Sequence, residues 1–150
     1  MKKVISGGQS GADIAALDAA IKCGVPIGGY CPKNRESEVS IDFESYPLIE
    51  INGGYRQRTK ENIKASEATV IFYNSEIVGG TELTLYFCIK SKTPYKLIDI
   101  SVTSVANAAN SINGFILKHK VKVLNVAGPS ASREPDIYSF VYSSMLAVLG

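Results

Sequence analysis

ATVIFYNSEIVGGTELTLYFCIKS, residues 68–91, reads as a buried strand, a short turn and a helix in immediate succession. Residues 68–73 form a continuous apolar and β-branched run, the kind that a parallel strand carries when both its faces are covered. Asn74 ends the run, and Gly79 and Gly80 open a helix over residues 81–91. A strand that feeds straight into a helix is half of a βαβ unit, and the same alternation extends in both directions. Toward the N-terminus, residues 3–6 read as a strand running into Gly7-Gly8-Gln9-Ser10-Gly11. A helix over 13–23 follows, with Ile14, Leu17 and Ile21 spaced to share one face, stopped by Gly24 and Pro26. Short strands are expected over 26–30 and 46–51, and a polar helix over 58–66. Toward the C-terminus come a strand over 95–100, a helix over 103–119, a strand over 121–126, a loop to Pro135 and a closing helix over 136–149. This pattern predicts one α/β domain over residues 1–150, with a mostly parallel sheet and helices on both faces.

Composition narrows the function. With 45% hydrophobic residues, the 150-residue chain can bury a core without disulfides or metals. Sixteen basic against fourteen acidic side chains leave a net charge of +2, too balanced for an electrostatic nucleic-acid binder. The densest basic run, Arg56, Arg58, Lys60 and Lys64, is broken by Glu61 and Glu67 and reads as a solvated helix face. No apolar stretch approaches the roughly 20 residues that span a bilayer. Gly7, Gly8, Gln9 and Asp13 interrupt any signal-like start. The expectation is a cytoplasmic protein with no membrane or nucleic-acid partner and with three reduced cysteines. Cys23 and Cys88 fall in apolar helical patterns, as small core residues. Cys31 reads either as a partly buried small residue or as a thiol activated by Lys33.

In open parallel sheets, ligands sit outside the carboxyl ends of the strands. Four polar loops fall there. Residues 6–13 carry three glycines with Gln9 and Ser10 ahead of a helix, where backbone N–H groups and the helix dipole suit a phosphate. Asp13 reads as a first-turn residue that stabilises this helix. Residues 78–84 repeat the arrangement, with Thr81 as a cap and Glu82 in the first turn. Residues 125–132 bring Asn125, Gly128, Ser130 and Ser132, and residues 30–35 bring Lys33 and Arg35. The single histidine, His119, falls at a helix end, where an imidazolium complements the dipole. One histidine and three dispersed cysteines make no metal-ligand spacing. No nucleophile–base arrangement is apparent.

Taken in order, ISGGQSGAD (5–13), AALDAA (15–20), GGYCPK (28–33), QRT (57–59), GGT (79–81) and NVAGP (125–129) resemble the molybdenum cofactor carrier family. That family is grouped with the SLOG superfamily, near the Lonely Guy phosphoribohydrolases. The resemblance implies a Rossmann-like three-layer sandwich, a homo-oligomer (dimer or tetramer), and a pocket for a phosphorylated pterin, such as molybdopterin, or a nucleotide. It points to Gly7, Gly8, Gln9, Ser10, Gly11, Gly80, Thr81, Asn125 and Gly128 as pocket residues, and adds Arg58 and Asn62. The family pattern differs at three positions. Ile14 stands where an arginine is usual, Ser130 where a base follows Ala-Gly-Pro, and Glu61 where an aromatic precedes the helix asparagine.

The expected function is that of a non-catalytic carrier without protein-ligated metal. Backbone N–H groups of residues 8–12 and 80–82, together with Gly79 and Glu82 at the same helix start, surround the phosphate. Arg58 and Lys33 neutralise it. One alternative is a nucleoside monophosphate N-glycosidase in which Glu82 acts as the catalytic carboxylate. Another is a nucleotide sensor that signals through its oligomeric state.

Overall fold

The protein is described here by a computed structural model that covers residues 1–32 and 42–150. In chain order the elements are β1 (Lys3–Ile5), α1 (Ala12–Lys22), β2 (Ile27–Gly28), β3 (Tyr30–Pro32), β4 (Ile49–Ile51), α2 (Gly54–Lys64), β5 (Ala68–Tyr73), α3 (Gly79–Ser91), β6 (Tyr95–Asp99), α4 (Val105–His119), β7 (Val123–Ala127) and α5 (Ile137–Leu149). The main sheet runs β2-β1-β7-β5-β6, and each neighbour pairing in it is parallel.

The period of two in a strand sends alternate side chains to opposite faces, and β5 shows both faces covered. Ala68, Val70 and Phe72 join the larger core with residues of α1, α4 and α5. Ile71 turns the other way, onto Ile63 of α2 and Phe87 and Cys88 of α3. The result is the α/β three-layer sandwich expected from sequence. Among the described residues, no helix is long and apolar enough to cross a membrane.

Two local readings needed correction. Ile14, Leu17 and Ile21 do not form the inward stripe of α1: Ile21 is 48% exposed, while Ala12, Ala15, Ala16, Ala19 and Ala20 are buried. Small side chains allow α1 to lie close against α5 and the sheet, and Leu17 packs sideways onto Cys31 and Leu48. The strand expected over 26–30 is split in two. β2 pairs with β1, whereas β3 leaves the sheet and pairs with β4. The break falls at Gly29, whose φ is 127° and where a Cβ would strike the Ser6 carbonyl oxygen, so only glycine fits.

Side chains fasten the displaced strands. Asn62 of α2 accepts from the Tyr30 N–H (2.8 Å) and donates to the Tyr30 carbonyl (2.9 Å). Asp18 of α1 accepts hydrogen bonds from the hydroxyls of Tyr46 (2.5 Å) and Tyr138. Burial and the adjacent carboxylate push the Tyr46 phenol up to about 12 and also raise that of Tyr138. Both therefore remain donors. Cys31 and Cys88 are buried, and Cys23 is half-buried at the end of α1. Burial, with Glu50 nearby, pushes the Cys31 thiol up; Lys33, on which the activated-thiol reading rested, lies outside the described residues.

Candidate functional site

The loops that leave the carboxyl ends of β1, β5 and β7 converge on one cleft of about 1190 Å³. Gln9 and Asp13 line it from the first loop, and Tyr55, Arg56 and Arg58 from α2. Gly79, Gly80, Thr81, Glu82 and Tyr86 come from α3, and Gly128, Pro129, Ser130, Ser132 and Arg133 follow β7.

The first loop is folded onto itself. The Gly8 N–H donates to Ser6 Oγ (3.4 Å), the Gln9 N–H to Asp13 Oδ2 (3.2 Å), and the Ala12 N–H to the Pro129 carbonyl (3.2 Å). Ser10 Oγ accepts from the Ala131 N–H (3.3 Å). A Cβ at Gly11 would lie 2.6 Å from the Pro129 carbonyl oxygen, so that glycine lets two protein loops meet. The Gly8, Gln9 and Ala12 donors expected to face a phosphate are thus engaged within the protein. Asp13 takes the Gln9 N–H, while Ser6 and Pro129 take those of Gly8 and Ala12.

Asp13 meets Arg58 at the floor of the cleft (Nη1 to Oδ2, 3.4 Å), with side-chain exposures of 3% and 12%. Burial pushes the Asp13 carboxyl up to about 6, against the opposing pull of Arg58 and of the Gln9 and Gly7 N–H groups. The Arg58 guanidinium lies on the face of Gly7, where a Cβ would collide with it, and 5.3 Å from the centre of the Tyr55 ring. Its Nε is buried without a hydrogen-bond partner. Arg58 is therefore no part of a solvated helix face. Residues 58 and 62 are one turn apart on the inward side of α2, where polar groups leave no apolar stripe to reveal them.

The start of α3 is open. Its cap residue, Val78, makes no side-chain cap hydrogen bond, and the first N–H groups of a helix have no intrahelical acceptor. Gly80 faces open space, with nothing within 4 Å of where a Cβ would stand. The Arg133 guanidinium rests against Gly79 and forms no ion pair with the described residues. A cation beside the positive end of a helix dipole is unfavourable; Glu82 in the first turn, and Glu76 and Glu134, which line a small pocket with Arg133 and Thr81, are the nearby acids among the described residues.

Of the residues singled out from sequence, Gln9, Arg58, Gly79, Gly80, Thr81, Glu82 and Gly128 line the cleft together. Gly7 lies beneath Arg58, while Gly8, Ser10 and Gly11 shape the closed loop behind it. Asn62 is spent on Tyr30, and Asn125 donates to Thr69 Oγ1 (3.2 Å), its neighbour in register across β7 and β5. Lys33 lies outside the described residues. Sequence reasoning missed Tyr55, Tyr86 and Arg133. Arg133 stands three residues beyond Ser130 and brings a cation into the cleft that the Ala-Gly-Pro pattern carries one residue after its proline. Among the described residues, no group of three or more His, Cys, Asp or Glu is placed to hold a metal ion.

The fold and this succession of loops match a known profile over residues 4–149, that of the circularly permutated YpsA SLOG family. The chain belongs to that family. A crystal structure at 1.45 Å resolution, of a "Putative molybdenum carrier protein" from Syntrophus aciditrophicus SB, is similar to this SLOG chain along its length. It shares 40% identity with a TM-score of 0.95, covering 100% of this chain and 96% of the other. No curated protein matches the chain.

Proposed function

We propose that the chain is a carrier of a phosphorylated planar heterocycle, of pterin or nucleotide type, held in the cleft between α2, α3 and the loop after β7. The observation that carries this reading is Arg133, a guanidinium that forms no ion pair with the described residues and lies against the start of α3, which has no side-chain cap. Two positive features side by side ask for an anion. First-turn N–H groups with a nearby arginine are a strong phosphate donor set, arginine contributing forked, charge-assisted hydrogen bonds. Tyr55 and Tyr86 line the same cleft and are each over two-fifths exposed, which suits stacking against a flat ring.

The similar protein is described as a molybdenum carrier, and this donor set fits the phosphate of the molybdenum cofactor. Gly79, Gly80, Thr81 and Arg133 would hold that phosphate, with Arg58 at the floor. The metal would travel on the cofactor's own dithiolene, because the described residues offer no ligand cluster for it. A thermal-shift comparison of AMP, GMP, ADP, NAD, ADP-ribose, molybdate and extracted molybdenum cofactor tests the reading. A ligand at 100 times its dissociation constant adds about 2.7 kcal/mol of stability. Stabilisation by the cofactor alone supports the carrier. Stabilisation by none of them removes the cleft as a phosphate site.

The presence of Glu82 in the same cleft favours one second reading, N-glycosidic hydrolysis of a nucleoside monophosphate. Release of adenine from AMP that is lost in Glu82→Gln would support it. No release at high protein concentration would end it.

A further inference from the structure

The buried Asp13–Arg58 pair is unlike a structural ion pair in three respects. Its single contact is long, 3.4 Å to one guanidinium nitrogen. Arg58 Nε is buried and unpartnered. And both residues line the cleft rather than the core. A structural pair would use the guanidinium's forked geometry more fully. Arg58 is instead a cation with donor capacity unspent, at the floor of a cleft whose other positive features lie at its mouth.

We infer that an anionic ligand competes with Asp13 for Arg58, so that filling the cleft is coupled to uptake of a proton by Asp13. The inference rests on the anion-binding reading of the cleft. A guanidinium drawn toward an anion leaves the Asp13 carboxylate buried with only the Gln9 and Gly7 N–H groups for support. A buried charge that loses its counter-ion is relieved by neutralisation. The other charged groups around the cleft do not substitute for Arg58. Arg56 on α2 lies over Phe87, and Arg133 lies against Gly79. Glu82 on α3 is an anion, and Glu50 on β4 is an anion near Cys31 that raises its thiol while Arg58 lowers it. Burial already holds the Asp13 carboxyl high, at about 6, so the carboxylate is poised to take a proton near neutral pH.

Sulfate is the probe, because it stays fully ionised across the range in which Asp13 titrates. Its affinity, followed by NMR through the Arg58 Nε–H signal as well as the Gly80 and Thr81 amide signals, should tighten as pH falls from 8 toward 6. The limit for a one-proton linkage is about tenfold per pH unit. Asp13→Asn should bind sulfate with an affinity that does not change over this range. In the unmodified chain, sulfate added at constant pH should move the Asp13 carboxyl carbon signal toward its protonated position, a readout independent of any variant. Silent Gly80 and Thr81 amides at every pH would remove the anion site and the competition with it. Responsive amides with a pH-independent affinity, a slope that survives Asp13→Asn, or a fixed Asp13 signal would overturn the competition while the anion site stands.

Discussion

The turn ahead of α1 and the turn ahead of α3 both carry glycines onto the first residues of a helix, yet they meet different partners. In residues 7–11 the Gly8 and Gln9 N–H groups end on Ser6 and Asp13, and Gly11 lies against the loop after β7. In residues 78–81 there is no side-chain cap, Gly80 faces open space and Gly79 supports an arginine. The difference is Asp13. A carboxylate at the second position of α1 takes the Gln9 N–H, and with Ser6 and the Pro129 carbonyl it turns a phosphate-like motif into a clamp. At α3 the first-turn carboxylate, Glu82, stands at the fourth position and is exposed, and the helix start has no side-chain cap. Glycine content signals close approach to the backbone; the position of the nearest acid decides whether the approaching group belongs to the protein or to a ligand.

Four experiments would break or sharpen this contrast. Gly11→Val places a branched side chain at φ 86° against the Pro129 carbonyl, and should cost about 3–5 kcal/mol, or on the order of 10 °C in melting temperature. A melting curve unchanged by this substitution would show that the first turn is not a clamp. The expected stability penalty attached to Asp13 is on the order of 3 kcal/mol. Its folded pKa of about 6 lies above its ordinary 3.8, so the folded state holds the proton more tightly. Stability from this group is therefore greatest below about pH 4, falls as pH rises through that window, and stays low above about pH 6. Urea titrations across the window should show the fall in the unmodified chain and a flatter profile in Asp13→Asn. Gly80→Val meets nothing within 4 Å and should change stability by less than about 1 kcal/mol, while weakening a phosphorylated probe more than tenfold by blocking the first-turn N–H groups. Equal losses of folding and binding would make the two turns alike after all. Arg133→Ala should weaken the same probe by about tenfold, in line with a charged hydrogen bond. Its melting temperature should stay level or rise slightly, since a cation leaves the positive helix end.

Much of the fold was legible because its signals are local. The continuous apolar run over β5 and the glycine-opened helix after it needed no tertiary information. The alanine face of α1 was less visible, because close packing rewards small side chains that a hydrophobic pattern underweights. The departure of β3 from the sheet depends on Gly29 passing the Ser6 carbonyl, a contact between residues 23 positions apart that no local pattern encodes. The start of α2 at Gly54 lies ahead of the expected 58 because its first turn is polar.

The site divides in the same way. Loops at strand ends pointed to the cleft, and the family resemblance lifted Arg58 out of the basic run. Tyr55, Tyr86 and Arg133 were hidden because each is a solvent-compatible residue whose direction is set by how α2, α3 and the last loop cross. Asn62 and Asn125 carry the opposite lesson. They stand beside the cleft in sequence, but their amides are spent on Tyr30 and Thr69.

Arg133 is exposed at the rim, while Arg58 is sunk at the floor. On the proposed carrier reading, that separation would divide the kinetics of loading and release. On a chain of net charge +2, long-range attraction is weak, so an arriving anion is drawn in only within about 8 Å, the screening length at physiological salt. On the proposed reading the rim arginine would govern how often cargo arrives, and added salt would slow arrival. The floor arginine, shielded from the same ions, would govern how long cargo stays. An acceptor protein could hasten delivery by taking up the anion as the Asp13–Arg58 contact closes again behind it in this chain's cleft.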